Sequence, residues 1–252
     1  MVSTITRALL YLTDLKVDGQ LGNSPLVINM SVGRSSDDVL MRAAIDYAIA
    51  HGVVVVAAAG NEANAGMRFP ARYAPVISAG ASGWVGFFPP EDPTLIQWIL
   101  NDVAEGDPFQ HLIANFSAWE LPGQDLDVLA PGVLVPTPGP GGRGVGMVDY
   151  TFGVGTSFAS PHVAGIAALI LQKNPGLTAA QIEQILENTA LPLPPGCRNV
   201  RVPVFGPGHW TSFRWLDFAN ISLFNITVCW NASPAGHGLA QADAALAATP
   251  LP

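Results

Sequence analysis

Ser157 is the residue whose surroundings most favour chemistry. It lies in residues 155–165 (GTSFASPHVAG), where a glycine-flanked turn opens directly into an apolar helix. Backbone N–H groups and the positive end of the helix dipole then lie close to the serine hydroxyl, where they stabilise the oxyanion of acyl transfer. The pattern therefore predicts a nucleophile, with one alternative: Thr156 or Ser157 only caps the helix.

The elements that must position this serine alternate between strands and helices. Short apolar runs predict strands at residues 26–32, 53–59, 76–81 and 126–130. Apolar periodicity and capping residues predict helices at residues 3–16, 37–50 (capped by Ser35 or Ser36), 156–173, 179–189 (capped by Thr178) and 239–247. This alternation predicts an α/β fold whose parallel strands are joined by right-handed crossovers.

Three segments fall outside this alternation. Residues 82–114 contain four prolines and are predicted to be an insertion. Residues 133–146 combine prolines with glycine pairs, which predicts a surface loop. Residues 191–235 form a Pro/Gly-rich region that holds both cysteines. No repeat or linker divides the chain, so a single domain is expected over residues 1–252.

The charge balance excludes two classes of partner. Of 252 residues, 49% are hydrophobic and only 12% charged, and 19 acidic against 11 basic residues give a net charge of −8. An acidic chain without a basic run does not favour nucleic acid or an anionic membrane surface. The longest strictly apolar run, residues 53–59, is far too short to span a bilayer.

The cysteines and sequons bear on the compartment. Cys197 and Cys229 are either two buried thiols or one disulfide. Glycosylation sequons begin at Asn115, Asn220, Asn225 and Asn231, and three of the four flank Cys229. They predict a secreted or extracellular parent protein, although the first 15 residues do not resemble a signal peptide.

Six segments occur in the order found in one protein family. Residues 155–165 resemble the nucleophile motif of the subtilisin-like serine proteases, the subtilases of peptidase family S8. Residues 29–33 (NMSVG), 58–62 (AAGNE) and 126–132 (LDVLAPG) resemble further subtilase motifs, as do 69–71 together with 76–81, and 236–239. An asparagine at position 61 favours the subtilisin branch over the related sedolisins, which have an aspartate in that role.

The resemblance implies a three-layer parallel sheet with helices on both faces. It also implies that Ser157 forms an acyl-enzyme while the Asn61 side chain and the Ser157 N–H hold the oxyanion. The substrate, an extended peptide or protein segment, would lie against two groove walls, formed by Ser31, Val32 and Gly33 and by Ala58, Ala59 and Gly60. No cofactor or metal ligand is implied, and structural calcium, which many subtilases use, is not readable from these residues.

The base and acid of the triad are missing from the expected place. In subtilases both precede the first groove strand, but the 25 residues before Leu26 contain no histidine and no matching aspartate motif. His162 lies five positions after Ser157, about 140° around the helix, which predicts a local hydrogen bond or packing role. The other histidines (His51, His111, His209 and His237) fit structural or loop positions, and Asp127 and Asp149 are expected at the surface or in caps.

Two interpretations follow. The first is that residues 1–252 are the C-terminal part of a subtilase catalytic domain without its N-terminal strands, inactive alone, whose partner is the missing segment of its own domain. The second is a non-catalytic, subtilase-like pseudoenzyme or peptide-binding module.

Overall fold

The fold is built on one mainly parallel sheet. A computed structural model describes residues 2–87, 107–138, 150–203 and 223–252. The sheet contains β1 (Leu26–Met30), β2 (Val53–Ala58), β3 (Ile77–Trp84), β4 (His111–Ile113) and β5 (Val128–Pro131). Strands β1, β2, β3 and β5 run parallel, and only β4 pairs antiparallel, with the last residues of β3. This confirms the predicted α/β fold.

Helices cover both faces of the sheet. α1 (Val2–Val17) and α2 (Val39–Ala50) lie on one face, and α3 (Thr156–Lys173), α4 (Ala179–Thr189) and α5 (Ala242–Ala248) lie on the other. Because successive residues of a strand point to opposite faces, the buried β2 residues divide between two cores. Val53, Val55 and Ala57 pack with α1 and α2, whereas Val54 and Val56 pack with α3 and α4. The predicted three-layer arrangement is therefore confirmed.

The helix boundaries differ from prediction at one cap. The cap of α2 is Asp38, whose side chain accepts hydrogen bonds from the N–H groups of Leu40 and Met41, so the prediction of Ser35 or Ser36 was wrong. Asp38 is the cap because it directly precedes the first helical residue, so its carboxylate reaches the unpaired N–H groups of the first turn. Ser35 and Ser36 lie too far before that turn. At α4 the predicted cap is confirmed, and Thr178 and Gln181 form a reciprocal capping box.

Part of the predicted surface loop at 133–146 is a strand. β6 (Val135–Pro138) pairs antiparallel with β7 (Tyr150–Gly153), which leads directly into α3. Its prolines are tolerated because a two-stranded ribbon leaves every second N–H without a ladder partner. Residues 139–149, including Asp149, lie outside the described residues.

The other two irregular segments also contain paired strands. The ends of the predicted insertion at 82–114 are sheet residues, since Ser82–Trp84 of β3 pair with β4, and residues 88–106 lie outside the described residues. In the Pro/Gly-rich region, β8 (Gly196–Pro203) and β9 (Leu223–Trp230) form an antiparallel hairpin. Cys197 and Cys229 are directly opposite each other and form a disulfide.

Across the described ranges, none of the helices is both long and apolar enough to cross a membrane.

Candidate active site

Ser157 occupies the first turn of α3, at the end of a chain of backbone contacts from the sheet. The Gly132 N–H, just beyond β5, donates to Ser82 O of β3 at 2.9 Å, and the Gly155 N–H donates to Gly132 O at 2.8 Å. Gly155 caps the helix with a φ of 141°, a conformation that favours glycine. Neither Thr156 nor Ser157 caps α3, so the capping alternative was wrong and the Ser157 side chain remains available for another role.

Thr156 orients the Asn61 side chain. The Asn61 Oδ1 atom accepts hydrogen bonds from the Thr156 N–H at 2.9 Å and from the Thr156 hydroxyl at 3.0 Å. Because a backbone N–H only donates, the oxygen of the amide must face Thr156, which leaves Asn61 Nδ2 as a donor for another acceptor. The Thr156 hydroxyl in turn accepts from the Gly60 N–H at 3.2 Å.

Two donors converge on the space beside Gly155. A β-carbon built on Gly155 would lie 3.5 Å from Asn61 Nδ2, 3.6 Å from Asn61 Oδ1 and 3.8 Å from Ser157 N, and the Oδ1 atom is already occupied by the two donors of Thr156. Glycine leaves this space unfilled, and both N–H groups border it. The structure thus brings together the two groups to which the family resemblance gives the role of oxyanion donors; that role itself stays a prediction. An anionic oxygen beside Gly155 has both within reach.

Ser31 joins the end of β1 to the start of α3. Its hydroxyl donates to Ser157 O at 2.8 Å and lies 3.0 Å from the hydroxyl of the buried Ser160. The Asn29 amide donates to the same hydroxyl at 3.0 Å. Since the one Ser31 hydrogen is used on Ser157 O, Ser160 is the donor in their contact. Ser160 and Asn29 were not predicted; the signal for Ser160 is its position three residues after Ser157, on the same helix face.

The first predicted groove wall is accessible. Val32 is 37% exposed, Gly33 is exposed and Ser31 is half-buried. In the part of the chain that the structure describes, no backbone hydrogen bond involves Val32 or Gly33. Their N–H and C=O groups are therefore open to an extended peptide.

The second predicted wall is buried. Ala58, Ala59 and Gly60 are all inaccessible. Ala59 N donates to Ala79 O, and Ala59 O accepts from Arg68 N. Gly60 O accepts from Ala118 N. This segment can shape a groove, but its backbone groups are already paired within the fold; whether either wall contacts substrate stays a prediction.

A segment centred on Arg68 and Phe69 is hydrogen-bonded to the second wall and to the residue that follows the first. Phe69 and Arg34 exchange backbone hydrogen bonds at 2.9 and 3.0 Å, which ties this segment to the first wall. The Arg68 guanidinium pairs with Glu62 at 2.8 Å, and this contact lowers the pKa of Glu62. The Glu62 carboxylate also accepts from the Asn61 N–H at 3.0 Å. The sequence patterns do not single out Arg68, because a lone arginine in a loop has no distinguishing spacing.

None of the histidines that the structure describes is hydrogen-bonded to Ser157. His162 Nδ1 is 2.7 Å from Phe158 O, which confirms the predicted local hydrogen bond. His51 contacts Tyr47 O, His237 lies 3.4 Å from Glu187, and His111 is in β4, where burial lowers its pKa. His209 lies outside the described residues. The Ser157 hydroxyl instead donates to Ser31 O, at 3.4 Å.

Asp127 is not at the surface, and that expectation was wrong. It is only 2% exposed, and its Oδ2 accepts from the Ser78 N–H at 2.5 Å and from the Ser78 hydroxyl at 2.8 Å. Carboxylate oxygens of Asp125, Asp127 and Glu187 lie within 4.8 Å of one another. Proximity alone assigns no ion to them, since acidic groups of this kind are common without one.

Comparisons with known proteins identify the family of this chain. The model of the subtilase family (peptidase S8) matches residues 5–214. The chain is 37% identical over 180 residues to subtilisin amylosacchariticus of Bacillus subtilis subsp. amylosacchariticus, covering 69% of this chain and 38% of that protein. It is 36% identical over 180 residues to subtilisin of Bacillus pumilus, covering 69% of this chain and 52% of that protein. The chain therefore spans about two fifths to one half of these relatives.

A solved structure gives the same result for the fold. Fervidolysin from Fervidobacterium pennivorans, a keratinolytic enzyme related to subtilisin, superposes with a TM-score of 0.62 at 27% identity, over 100% of this chain and 29% of that one. The family match covers the five strands of the sheet and the whole of the Ser157 site. The chain belongs to the subtilase family.

Proposed function

We propose that this chain supplies the nucleophile and the oxyanion site of a serine endopeptidase. The observation that carries the proposal is the convergence of Asn61 Nδ2 and Ser157 N beside Gly155. A tetrahedral intermediate of acyl transfer requires hydrogen-bond donors beside its oxyanion, and these two N–H groups can serve as such donors. The nucleophile is Ser157, which lies next to the same space.

The reaction would proceed through an acyl-enzyme. An extended peptide or protein segment pairs with the open backbone of Val32 and Gly33, which places a scissile carbonyl beside Gly155. Ser157 Oγ attacks the carbonyl carbon and gives its proton to a base, and the oxyanion accepts hydrogen bonds from both donors. The intermediate then collapses as the base passes that proton to the leaving amine. Water then releases the acyl group. These steps use side chains and backbone N–H groups and require no cofactor.

The proton of Ser157 needs a base that the described residues do not place beside it. We propose that the base and its orienting acid come from a further segment of the same domain, which would complete the site against β1. Accordingly, the 252-residue chain alone is expected to be inactive, because a serine without its base keeps only a small residual rate.

A fluorophosphonate probe tests this proposal. We expect the complete protein to be labelled at Ser157, and Ser157→Ala to abolish the labelling. Ser36→Ala removes an exposed serine on the loop before α2 and serves as the matched control, which should be labelled like the wild type. Labelling that survives Ser157→Ala would refute the assignment of the nucleophile.

The second candidate is a peptide-binding module without catalysis. It is favoured by one observation: within the described residues, the only hydrogen bond of the Ser157 hydroxyl is to Ser31 O. A complete protein that binds extended peptides but is never labelled by the probe would establish this alternative.

We further propose that the parent protein is secreted. The disulfide between Cys197 and Cys229 supports an oxidising compartment, and the sequon residues Asn115, Asn225 and Asn231 are exposed. Expression in a secreting eukaryotic cell should give a glycosylated product whose mobility changes on glycosidase treatment. A product found only unmodified in the cytosol would contradict the proposal.

A further inference from the structure

The side chain of Arg68 passes between the two groove walls. Its Cβ lies 3.1 Å from the position that a Gly33 β-carbon would take and 3.5 Å from the corresponding position of Gly60. Its Cγ lies 2.8 Å from the latter position. Both walls therefore have a glycine where the arginine stem packs. A β-carbon at Gly60 would collide with the stem, and one at Gly33 would crowd it. The stem of Arg68 forms the floor between Gly33 and Gly60.

Within the described residues, only one of the three guanidinium nitrogens of Arg68 has an acidic partner. Arg68 Nε donates to Glu62 Oε2, the oxygen that also accepts from the Asn61 N–H. In the described parts of the chain, no acceptor lies on Nη1 or Nη2 of Arg68, and the side chain is 27% exposed. The two terminal nitrogens of a guanidinium form a fork that matches both oxygens of a carboxylate. Arg68 thus offers a carboxylate-binding edge at the floor of the groove.

We propose that Arg68 is the specificity-determining residue of this groove and selects a substrate whose side chain at the floor is acidic, aspartate or glutamate. The inference rests on the proposed function, because it takes the space between the Val32–Gly33 and Ala58–Gly60 segments as the substrate groove. The occupant is a carboxylate for two reasons. The arginine stem fills the space that a large apolar side chain would need, and the guanidinium repels lysine and arginine.

Glu62 limits this preference without cancelling it. Its carboxylate is 40% exposed, so water screens its charge, and it binds the Nε side of the guanidinium rather than the terminal fork. Removing the Glu62 charge should therefore strengthen the acidic preference, whereas removing the Arg68 charge should abolish it. The two substitutions act in opposite directions, and a general disturbance of the groove would not do so.

The test measures the affinity of the full chain for short peptides capped at both ends. The peptides come in sets of four that are identical except at one position, which is Glu, Gln, Leu or Lys. A separate set is made for each position of the peptide, so that one set varies the residue that reaches Arg68. At one position the wild type should bind Glu about fivefold more tightly than Gln, and Lys most weakly. Arg68→Met keeps the stem and should remove this preference, while Glu62→Gln should increase it.

Arg72→Met is the matched control. Arg72 is exposed, four residues along the same segment, and its guanidinium lies over the Phe69 ring rather than against the glycines. It should leave the Glu preference unchanged. Peptide binding with the same preferences in wild type and Arg68→Met would overturn the inference while leaving the proposed function intact. If no peptide binds to the wild type or to any variant, the substrate groove itself is refuted.

Discussion

The amide of Asn61 is held by Thr156 through two hydrogen bonds to one oxygen atom, from the backbone N–H at 2.9 Å and from the hydroxyl at 3.0 Å. The first residue of α3 therefore fixes the orientation of a side chain that begins a turn at the end of β2. A donor whose direction is set in advance loses no reorganisation energy when charge develops. The same hydroxyl accepts from the Gly60 N–H, so one buried threonine joins the Asn61 amide to the backbone of Gly60.

Replacing Thr156 with valine tests this arrangement. The shape is kept, but the Gly60 N–H loses its acceptor in a buried setting, which costs about 1–3 kcal/mol. We expect the free energy of unfolding, measured by denaturant titration, to fall by about that amount. Labelling of the complete protein should also slow, because Asn61 is less firmly oriented. Thr4→Val, at an exposed position of α1, is the control and should change neither quantity; an equal effect of both variants would contradict the role of Thr156.

Gly155→Ala should damage both the fold and the oxyanion site. The φ of 141° at this residue is strained for any residue with a β-carbon, at a cost of about 1–3 kcal/mol. The added methyl group would also occupy the space that Asn61 Nδ2 and Ser157 N border, at 3.5 and 3.8 Å from them. We therefore expect a lower unfolding midpoint and, in the complete protein, labelling of Ser157 that is slower by a factor of about 100.

Gly165→Ala is the opposite case on the same helix. No atom lies within 4 Å of where its β-carbon would be, and its φ is not in the left-handed region. Alanine in a helix interior is favoured by about 1 kcal/mol over glycine, so this variant should be slightly stabilised with unchanged labelling. If both glycine variants behave alike, the space beside Gly155 is not an oxyanion site.

The parts of the molecule that repeat a local pattern were predictable, and the parts that depend on tertiary neighbours were not. The apolar run of β2 and the glycine turn before Ser157 have local causes, so the strand and the position of Ser157 in the first turn of a helix could be predicted from the sequence. Asp127 looks like a surface carboxylate in isolation, and only its contact with Ser78, on a neighbouring strand, explains its burial. The proposed specificity role of Arg68 likewise depends on its tertiary position, because its stem packs against both Gly33 and Gly60.

The disulfide should stabilise the β8–β9 hairpin and the domain that it packs on. Cys197 and Cys229 are 32 positions apart, and a cross-link of that span restricts the unfolded chain by about 3–4 kcal/mol in the chain-entropy model. The double variant Cys197→Ser with Cys229→Ser should therefore unfold at a lower denaturant concentration than the oxidised wild type. A reducing agent should lower the wild-type midpoint to that of the variant and leave the variant unchanged. A wild type that is insensitive to the reducing agent would contradict the predicted contribution.

Stability should fall towards alkaline pH because of two carboxyl groups between β5 and α4. Burial raises the pKa of Asp127 to about 8 and that of Glu183 to about 7, and the charge of Glu187 raises both further. At Glu183, the neighbouring Asp127 and His237 oppose this rise. Both groups ionise in the unfolded chain near pH 4, so the folded state binds more protons between about pH 4 and 8.

The sign of the pH effect follows from this difference. Stability present below about pH 4 is lost as the pH rises through the folded pKa values, at up to about 1.4 kcal/mol per pH unit for each proton retained. Glu183→Gln removes one of the two groups that retain a proton on folding, so the free energy of unfolding of this variant should decline less between about pH 5 and 8. Asp243→Asn removes an exposed charge on α5 and should keep the wild-type slope. Denaturant titrations across this range measure both slopes, and a wild type that gains stability towards pH 8 would show that Asp127 and Glu183 do not retain a proton on folding.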